Sequence, residues 1–320
     1  MATQHKATRA TRATEATRAG ASYRTSGQRR MTQWRTDLIG LGFVLPFLAA
    51  YGLFILWPIV SGFHMSFYNW SLLGTSRFIG FDNYRALFGD TVFWTDLWHT
   101  VQFTLESTVP LVVLSLVMAL LANRKLPAQW LFRLAFFAPY VLPVAIVYLI
   151  WNWLYQPDFG LINNYLSKFG FHSIAWLSDP GLAMPAVVIA TVWWTVGFNF
   201  VLYLAGLQEI PQEIYEAAAI DGANGWTRLR YITIPLLQRT TTLIVVLQIL
   251  ASLKVFDQIY LLTTGGPNGS TRSAIEYIYE QGFQSYRLGY ASALSYAFFI
   301  VILIVSAVQF ALFSRGRGRA

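Results

Sequence analysis

The chain has 320 residues, of which 55% are hydrophobic, 17% aromatic and only 12% charged. A soluble domain carries about 25% charged residues, so this composition excludes an ordinary soluble protein and points to a polytopic membrane protein. The formal charge of +8 could suggest nucleic acid, but the cations flank apolar runs, and the absence of cysteine excludes disulfides, thiol catalysis and cysteine-ligated metal.

Residues 1–37 are polar and basic, and include the low-complexity run ATRATRATEATRAGAS. Such a segment buries too little apolar surface to fold, so a disordered tail attracted to anionic lipid headgroups is expected. No small-residue cleavage site follows a short apolar core, so no cleavable signal peptide is expected, and the first apolar run serves as its own insertion signal.

A helix needs about 20 largely apolar residues to cross a bilayer core, because unsatisfied backbone groups are costly in hydrocarbon. Six runs qualify, at 38–63, 97–122, 132–155, 183–206, 239–262 and 290–314. The expected fold is therefore all-α and polytopic, with six transmembrane helices. Pro46, Pro58, Pro110, Pro139 and Pro143 lie inside these runs, which membrane helices tolerate. FIGFDNYRALFGD at 78–90 and FGLINNYLSKFGFHSIAWLSDPG at 159–181 mix aromatics with turn residues, and predict short amphipathic helices rather than strands.

Cations concentrate in the N-terminal tail, in the loop with Arg124, Lys125 and Arg133, in the loop with Arg228, Arg230 and Arg239, and at 315–320 with Arg315, Arg317 and Arg319. The alternate loops hold Arg77, Arg85, Lys168, Arg272 and Arg287. Cytoplasmic flanks carry the excess of Lys and Arg, so both termini are expected in the cytoplasm of a cell (plasma or inner) membrane.

Between the fourth and fifth runs, on that same side, stands the polar stretch EAAAIDGANGWTRLRYITIPLL at 216–237. Pro211, Glu213 and Glu216 suit a helix start, and Asp221-Gly222 a helix stop, since glycine readily adopts a left-handed cap. Asn224 then caps a second short helix that leads to Pro235. Two short helices around a glycine corner make either a knob for a partner to grip or an interfacial helix lying passively on lipid.

Glu216-Ala217-Ala218, three residues, Gly222, nine residues, then Ile232-Thr233-Ile234-Pro235 resembles the EAA loop of permease subunits of binding-protein-dependent ABC importers, with Ile234 in place of leucine. Three further segments are similar to sugar permeases of the maltose and glycerol-3-phosphate type: LKVFDQIYLLTTGGPNGST at 253–271, FVLYLAGLQEIPQEIYEAAAIDGA at 200–223 and FIGFDNYRALF at 78–88. The glycines after the fifth run are more like the maltose F subunit than its partner, without that subunit's additional N-terminal spans and large outer domain.

The resemblance implies a type I ABC importer permease fold, with a first helix at 38–63, a transmembrane core at 97–314 and a coupling loop at 207–237. It implies that Glu216, Ala217, Ala218, Asp221, Gly222, Ile232 and Pro235 couple the chain to ATPase subunits. The partners implied are a second permease in a heterodimer, two ABC ATPases, an extracytoplasmic solute-binding protein, a sugar and membrane lipid, with no nucleic acid. No cofactor, metal or catalytic residue is expected on this chain; ATP and Mg²⁺ belong to the ATPase subunits.

Lys254 and Asp257 are charges inside the fifth run, three positions apart, with Gln248, Ser252 and Gln258 near them. Intramembrane charges are costly and normally face protein or a water-filled interior. Two readings stand here: a structural ion pair, or a polar face of the substrate path to which Phe256, Tyr260 and Asn199 also contribute. Trp151, Asn152, Trp153, Trp193 and Trp194 are either further lining or interfacial packing residues. Lys254 is the one cation well inside the runs, which favours a neutral sugar or oligosaccharide over glycerol-3-phosphate or a related polyol.

Other classes fit less well. An ion-coupled carrier could use Glu106, Lys254 and Asp257, but would not need the polar knob. A membrane-embedded glycosyltransferase would need paired carboxylates that are absent, and GGPNGST lacks the lysine of a phosphate-binding loop, so energy must come from another subunit.

Overall fold

The computed structural model describes residues 41–70, 76–124 and 129–316. The tail predicted over 1–37, and Arg317 and Arg319, lie outside the described residues. The chain divides into two units between Gly62 and Phe63.

The first unit holds most of helix α1, Leu41–Met65, whose most apolar stretch has no buried residue. A helix apolar on every side is a membrane span rather than a surface helix. Its ladder widens into a π-helical turn at Gly52–Leu56, where the Trp57 N–H reaches the Gly52 carbonyl. Pro58 follows at once and has no N–H to continue the ladder.

The second unit opens with a short antiparallel pair, β1 (Tyr68–Asn69) and β2 (Arg77–Phe78), with Tyr68 opposite Phe78. This corrects the expectation of helices alone in the 78–90 segment, although α2 (Asp82–Phe88) does form there. Asn83 explains the pairing: its buried amide donates to the carbonyls of Ser66 and Tyr68 and pins the hairpin to α2.

Helix α3 (Thr91–Ala122) starts six residues earlier than 97, because Asp90 caps it by accepting from the N–H groups of Val92 and Phe93. The third run is not one helix. It splits into α4 (Gln129–Val141) and α5 (Val144–Leu154), bent by 96°. Pro143 removes a ladder donor at the bend, and Trp194 Nε1 donates to the freed Leu142 carbonyl.

After α6 (Leu161–Lys168), the long α7 (Ala183–Gln208) packs against α3, α4 and α10 (Gln238–Leu253) and forms the centre of the unit. Gly197 makes the approach of α4 possible, since a Cβ there would stand 2.6 Å from the Phe136 carbonyl oxygen. Phe103, Leu111, Tyr148, Val187, Val255 and Ile259 belong to one buried cluster, and Tyr148 and Thr191 share a hydrogen bond of 3.1 Å within it.

The remaining elements are α8 (Gln212–Ile220), α9 (Gly225–Leu236), α11 (Asp257–Leu262), α12 (Ala274–Tyr279) and α13 (Leu288–Gly316). Four described helices are long and apolar enough to span a membrane, and the bent pairs α4–α5 and α9–α10 bring the total to as many as six. The fifth run is therefore not a straight 239–262 helix: the chain bends by 61° between α9 and α10 and breaks again after Leu253. The sixth helix continues to Gly316, so the tail predicted from 315 begins in helix.

Candidate functional site

The 211–236 segment folds as two short helices around one corner. Pro211 stands at the N-cap of α8 with φ −58°, and Glu213 occupies its first turn, where a carboxylate favours the positive end of the helix dipole. At the other end the Gly222 N–H bonds to the Ala219 carbonyl and the Ala223 N–H to the Ala218 carbonyl, a paired closure that needs a left-handed residue between them. Gly222 supplies it with φ +80°. Asn224 then accepts from the Thr227 N–H at 2.9 Å and starts α9.

A π-helical turn at Leu229–Thr233 again precedes a proline, Pro235, at the same spacing as in α1. Tyr215 and Thr233 share a hydrogen bond of 3.0 Å that ties the two arms together. Glu216, Ala217, Asp221, Gly222 and Pro235 are exposed, while Ala218 and Ile232 are half-buried. Glu216 accepts from the Gln212 side chain at 2.8 Å within its own helix. Around this corner Ile220, Trp226 and Tyr231 are 87%, 71% and 73% exposed, a concentration of uncovered apolar area that a solvated loop would not keep.

Three of the predicted path residues form one polar seam. Asn199 on α7 donates to Gln248 Oε1 at 3.1 Å, Gln248 Nε2 donates to Ser252 Oγ at 3.0 Å, and Ser252 shares a hydrogen bond of 3.1 Å with Ser107 on α3. Ser107 had no sequence signal beyond being a hydroxyl in an apolar run. Asn199, Ser252 and Ser107 are buried and Gln248 is half-buried, so the seam joins α3, α7 and α10 and opens at Gln248.

Lys254 and Asp257 do not share a helix face. Lys254 ends α10 with φ −93° and ψ 23°, Val255 turns into the core at 1% exposure, and Asp257 begins α11. Burying Val255 requires the chain to leave the helical path between the two charges. Both are exposed, and no ion pair joins them among the described residues. Phe256, the N-cap of α11, stacks on Tyr260 within that helix at 5.2 Å. Glu106 accepts from Gln102 on its own helix. Of the tryptophans, Trp151 is buried against Trp193 at 5.8 Å, Trp194 serves the α4–α5 bend, Trp153 is exposed, and Asn152 pairs with Gln156.

Sequence reading missed a charged cluster where α12 meets α3. Arg272 lies 2.7 Å from Asp96 and 3.2 Å from Glu280, and the Tyr277 and Tyr290 hydroxyls donate to Asp90 at 2.7 and 2.6 Å. Asp90 is held below its ordinary range: burial works against this, but the bonds from Tyr277, Tyr290, Phe93 and Val92 prevail. Glu276 is fully buried with neither carboxylate oxygen hydrogen-bonded, and burial, then the Glu280 charge, push it up to about 7. A cleft of about 320 Å³ lies beside the cluster, lined by Asp96, His99, Asn268, Ser270 and Arg272 among others. The only clue in sequence was a charge-poor loop with one arginine, whose partner lay far back in the chain.

The exposed α8–α9 corner thus lies between α7 and α10, the two helices that share the polar seam with α3. Residues 111–317 match the family described as binding-protein-dependent transport system inner membrane component, and the chain belongs to it. It is a multi-pass membrane protein.

Among its relatives is the sulfoquinovosyl glycerol transport system permease protein of Agrobacterium fabrum, 35% identical over 284 residues, or 87% of this chain and 92% of that one. Another is the trehalose/maltose transport system permease protein of Thermococcus litoralis, 36% identical over 275 residues, 85% and 92% of the two chains. The fold is also that of a bacterial ABC transporter involved in the import of the acidic polysaccharide alginate, with a TM-score of 0.78 at 23% identity, covering 90% of this chain and 99% of that one.

Proposed function

We propose that this chain is the permease subunit of an ATP-driven importer that carries a sugar or oligosaccharide delivered by an extracytoplasmic binding protein. The observation that carries the reading is the family match over 111–317, joined to relatives named for saccharide transport that align along most of both chains. The chain crosses the membrane six times, counting each bent pair as one span, with both termini in the cytoplasm.

The α8–α9 corner is the coupling element. Its exposed Ile220, Trp226 and Tyr231 seat in a groove of an ABC ATPase, with Gly222 setting the angle between the helices. ATP-driven closure of two such ATPases, which hold ATP and Mg²⁺, swings this chain and a second permease from inward-facing to outward-facing. Sugar then passes along a path lined by Gln248, Lys254, Phe256, Asp257 and Tyr260, with Asn199 and Ser252 orienting Gln248 from behind. Hydrolysis restores the inward state.

A second reading concerns substrate charge. Among the described residues Lys254 has no ion-pair partner, and it is exposed at the break in the fifth run, which suits an anionic glycoside as well as a neutral one. Uptake of radiolabelled saccharides into vesicles reconstituted with the whole transporter and its binding protein tests the proposal. Accumulation should require ATP inside the vesicle and survive an uncoupler. Uptake that follows a proton gradient without ATP would instead establish an ion-coupled carrier.

A further inference from the structure

The segment around α6 is folded with its polar groups inside and its rings outside. Asn163, buried within α6, donates from Nδ2 to the Ile174 carbonyl at 2.9 Å, while its Oδ1 accepts from the Ile174 N–H at 3.2 Å and from Trp176 Nε1 at 3.1 Å. Ser173 closes the loop further by donating to the Pro157 carbonyl at 2.7 Å. Gly160 lets the chain turn directly off α5, since a Cβ there would stand 2.3 Å from the Gln156 carbonyl oxygen. With these groups satisfied by one another, the rings are left outside: Phe159, Phe169 and Phe171 are 61%, 78% and 60% exposed, and Leu161 and Tyr165 are exposed as well.

A loop made for water has the opposite arrangement, because exposed apolar surface is unfavourable there. Residues 159–178 contain no Asp or Glu, and their one lysine, Lys168, holds its ammonium 4.7 Å from the centre of the Tyr165 ring. That is the posture of a side chain whose stem covers apolar surface while its charge stays at a polar boundary. On the inner side Trp151 packs on Tyr155 at 5.2 Å and Tyr155 on Trp176 at 5.6 Å, so the buried face of α5 runs into the Asn163 side of α6. The outward sides of the two helices therefore adjoin. On α5 that side carries Ile146, Leu149, Ile150 and Trp153, exposed at three- and four-residue spacing, which in a membrane-spanning protein is a lipid-facing stripe.

We propose that Phe159, Leu161, Tyr165, Phe169 and Phe171 continue this stripe into the boundary layer of the bilayer, making α6 an in-plane lipid anchor. Aromatic rings with a single lysine suit the depth at which acyl chains give way to headgroups. The absence of carboxylates suits it too, since anionic headgroups repel them. Such an anchor holds the end of α5 at a fixed depth while neighbouring helices rearrange. Only membrane insertion is required for it, whichever solute the protein carries.

The chain has no cysteine, so Tyr165→Cys and Phe169→Cys each provide a single site for a nitroxide label. Power-saturation EPR on the full chain in nanodiscs of phosphatidylcholine and phosphatidylglycerol compares collisions with oxygen, which concentrates in lipid, and with nickel-EDDA, which stays in water. Both labels should meet oxygen at least about threefold more often than nickel-EDDA, as a label on Leu149→Cys does. Adding Phe171→Ser to either background should raise the nickel collisions about threefold, and adding Phe171→Trp should leave them unchanged. At so exposed a position neither change should move the thermal midpoint. The assembled transporter, with its binding protein bound, should keep the oxygen preference. Nickel access equal to oxygen access in the free chain, or no rise in nickel access with Phe171→Ser, would overturn the anchor. Loss of access to both reagents on assembly would make this face a protein-docking surface and overturn it equally.

Discussion

Arg272 Nε donates to Asp96 Oδ2 at 2.7 Å, fastening the loop before α12 to the second turn of α3 across 176 positions of the chain. The Asp96 side chain is 2% exposed and Arg272 also reaches Glu280. Breaking a buried pair from one side leaves an uncompensated charge, at a cost of about 3–5 kcal/mol, reduced here because Arg272 is partly exposed. Arg272→Ala should therefore lower the thermal midpoint of the purified protein markedly, and adding Asp96→Asn should recover part of the loss. An Arg272→Ala protein that melts with the wild type would show the pair to be idle.

The pH dependence of stability should carry the signature of Glu276. Its folded-state pKa of about 7 lies above the ordinary 4.5, so the folded form binds the proton more tightly than the unfolded one. Its contribution is complete below about pH 4.5 and is lost as pH rises through about 7. Melting curves recorded across that window should show a falling midpoint, and Glu276→Gln, neutral throughout, should flatten the fall. Asp90, lowered instead, acts in the opposite sense and loses its contribution as pH drops below the carboxylate range.

Gly222 should be sensitive to backbone and not to volume. A Cβ added there meets nothing within 4 Å, but φ is +80°. Gly222→Ala should cost about 1 kcal/mol at the corner and reduce substrate-stimulated ATPase activity of the whole transporter only in part. Gly222→Pro cannot adopt the angle and should abolish stimulation. Wild-type stimulation in Gly222→Pro would remove the corner from the coupling mechanism.

The seam and the break should respond differently to alanine. Gln248→Ala leaves Asn199 and Ser252 without their shared partner, so stability should fall by about 1–3 kcal/mol together with uptake. Asp257→Ala removes an exposed carboxylate that has no ion-pair partner among the described residues, so the thermal midpoint should stay while uptake declines. Equal destabilisation by the two changes would return Asp257 to a structural role.

Composition and local pattern by themselves determined that the chain is a helical membrane protein, where its apolar runs lie, and that a glycine corner stands between the fourth and fifth of them. Those properties are legible because hydrocarbon demands about 20 apolar residues per span, and because helix starts and stops depend on residues within one turn. Tertiary structure decided what long separation hides. The 239–262 run was expected to be one helix with Lys254 and Asp257 on one face, yet burial of Val255 among Phe103 and Ile259 breaks it between those charges. Nothing near Asp96 in sequence announces Arg272, and nothing near Ser107 announces Ser252. A buried charge and a buried hydroxyl find partners by where the helices pack, and packing depends on surfaces summed over the whole chain.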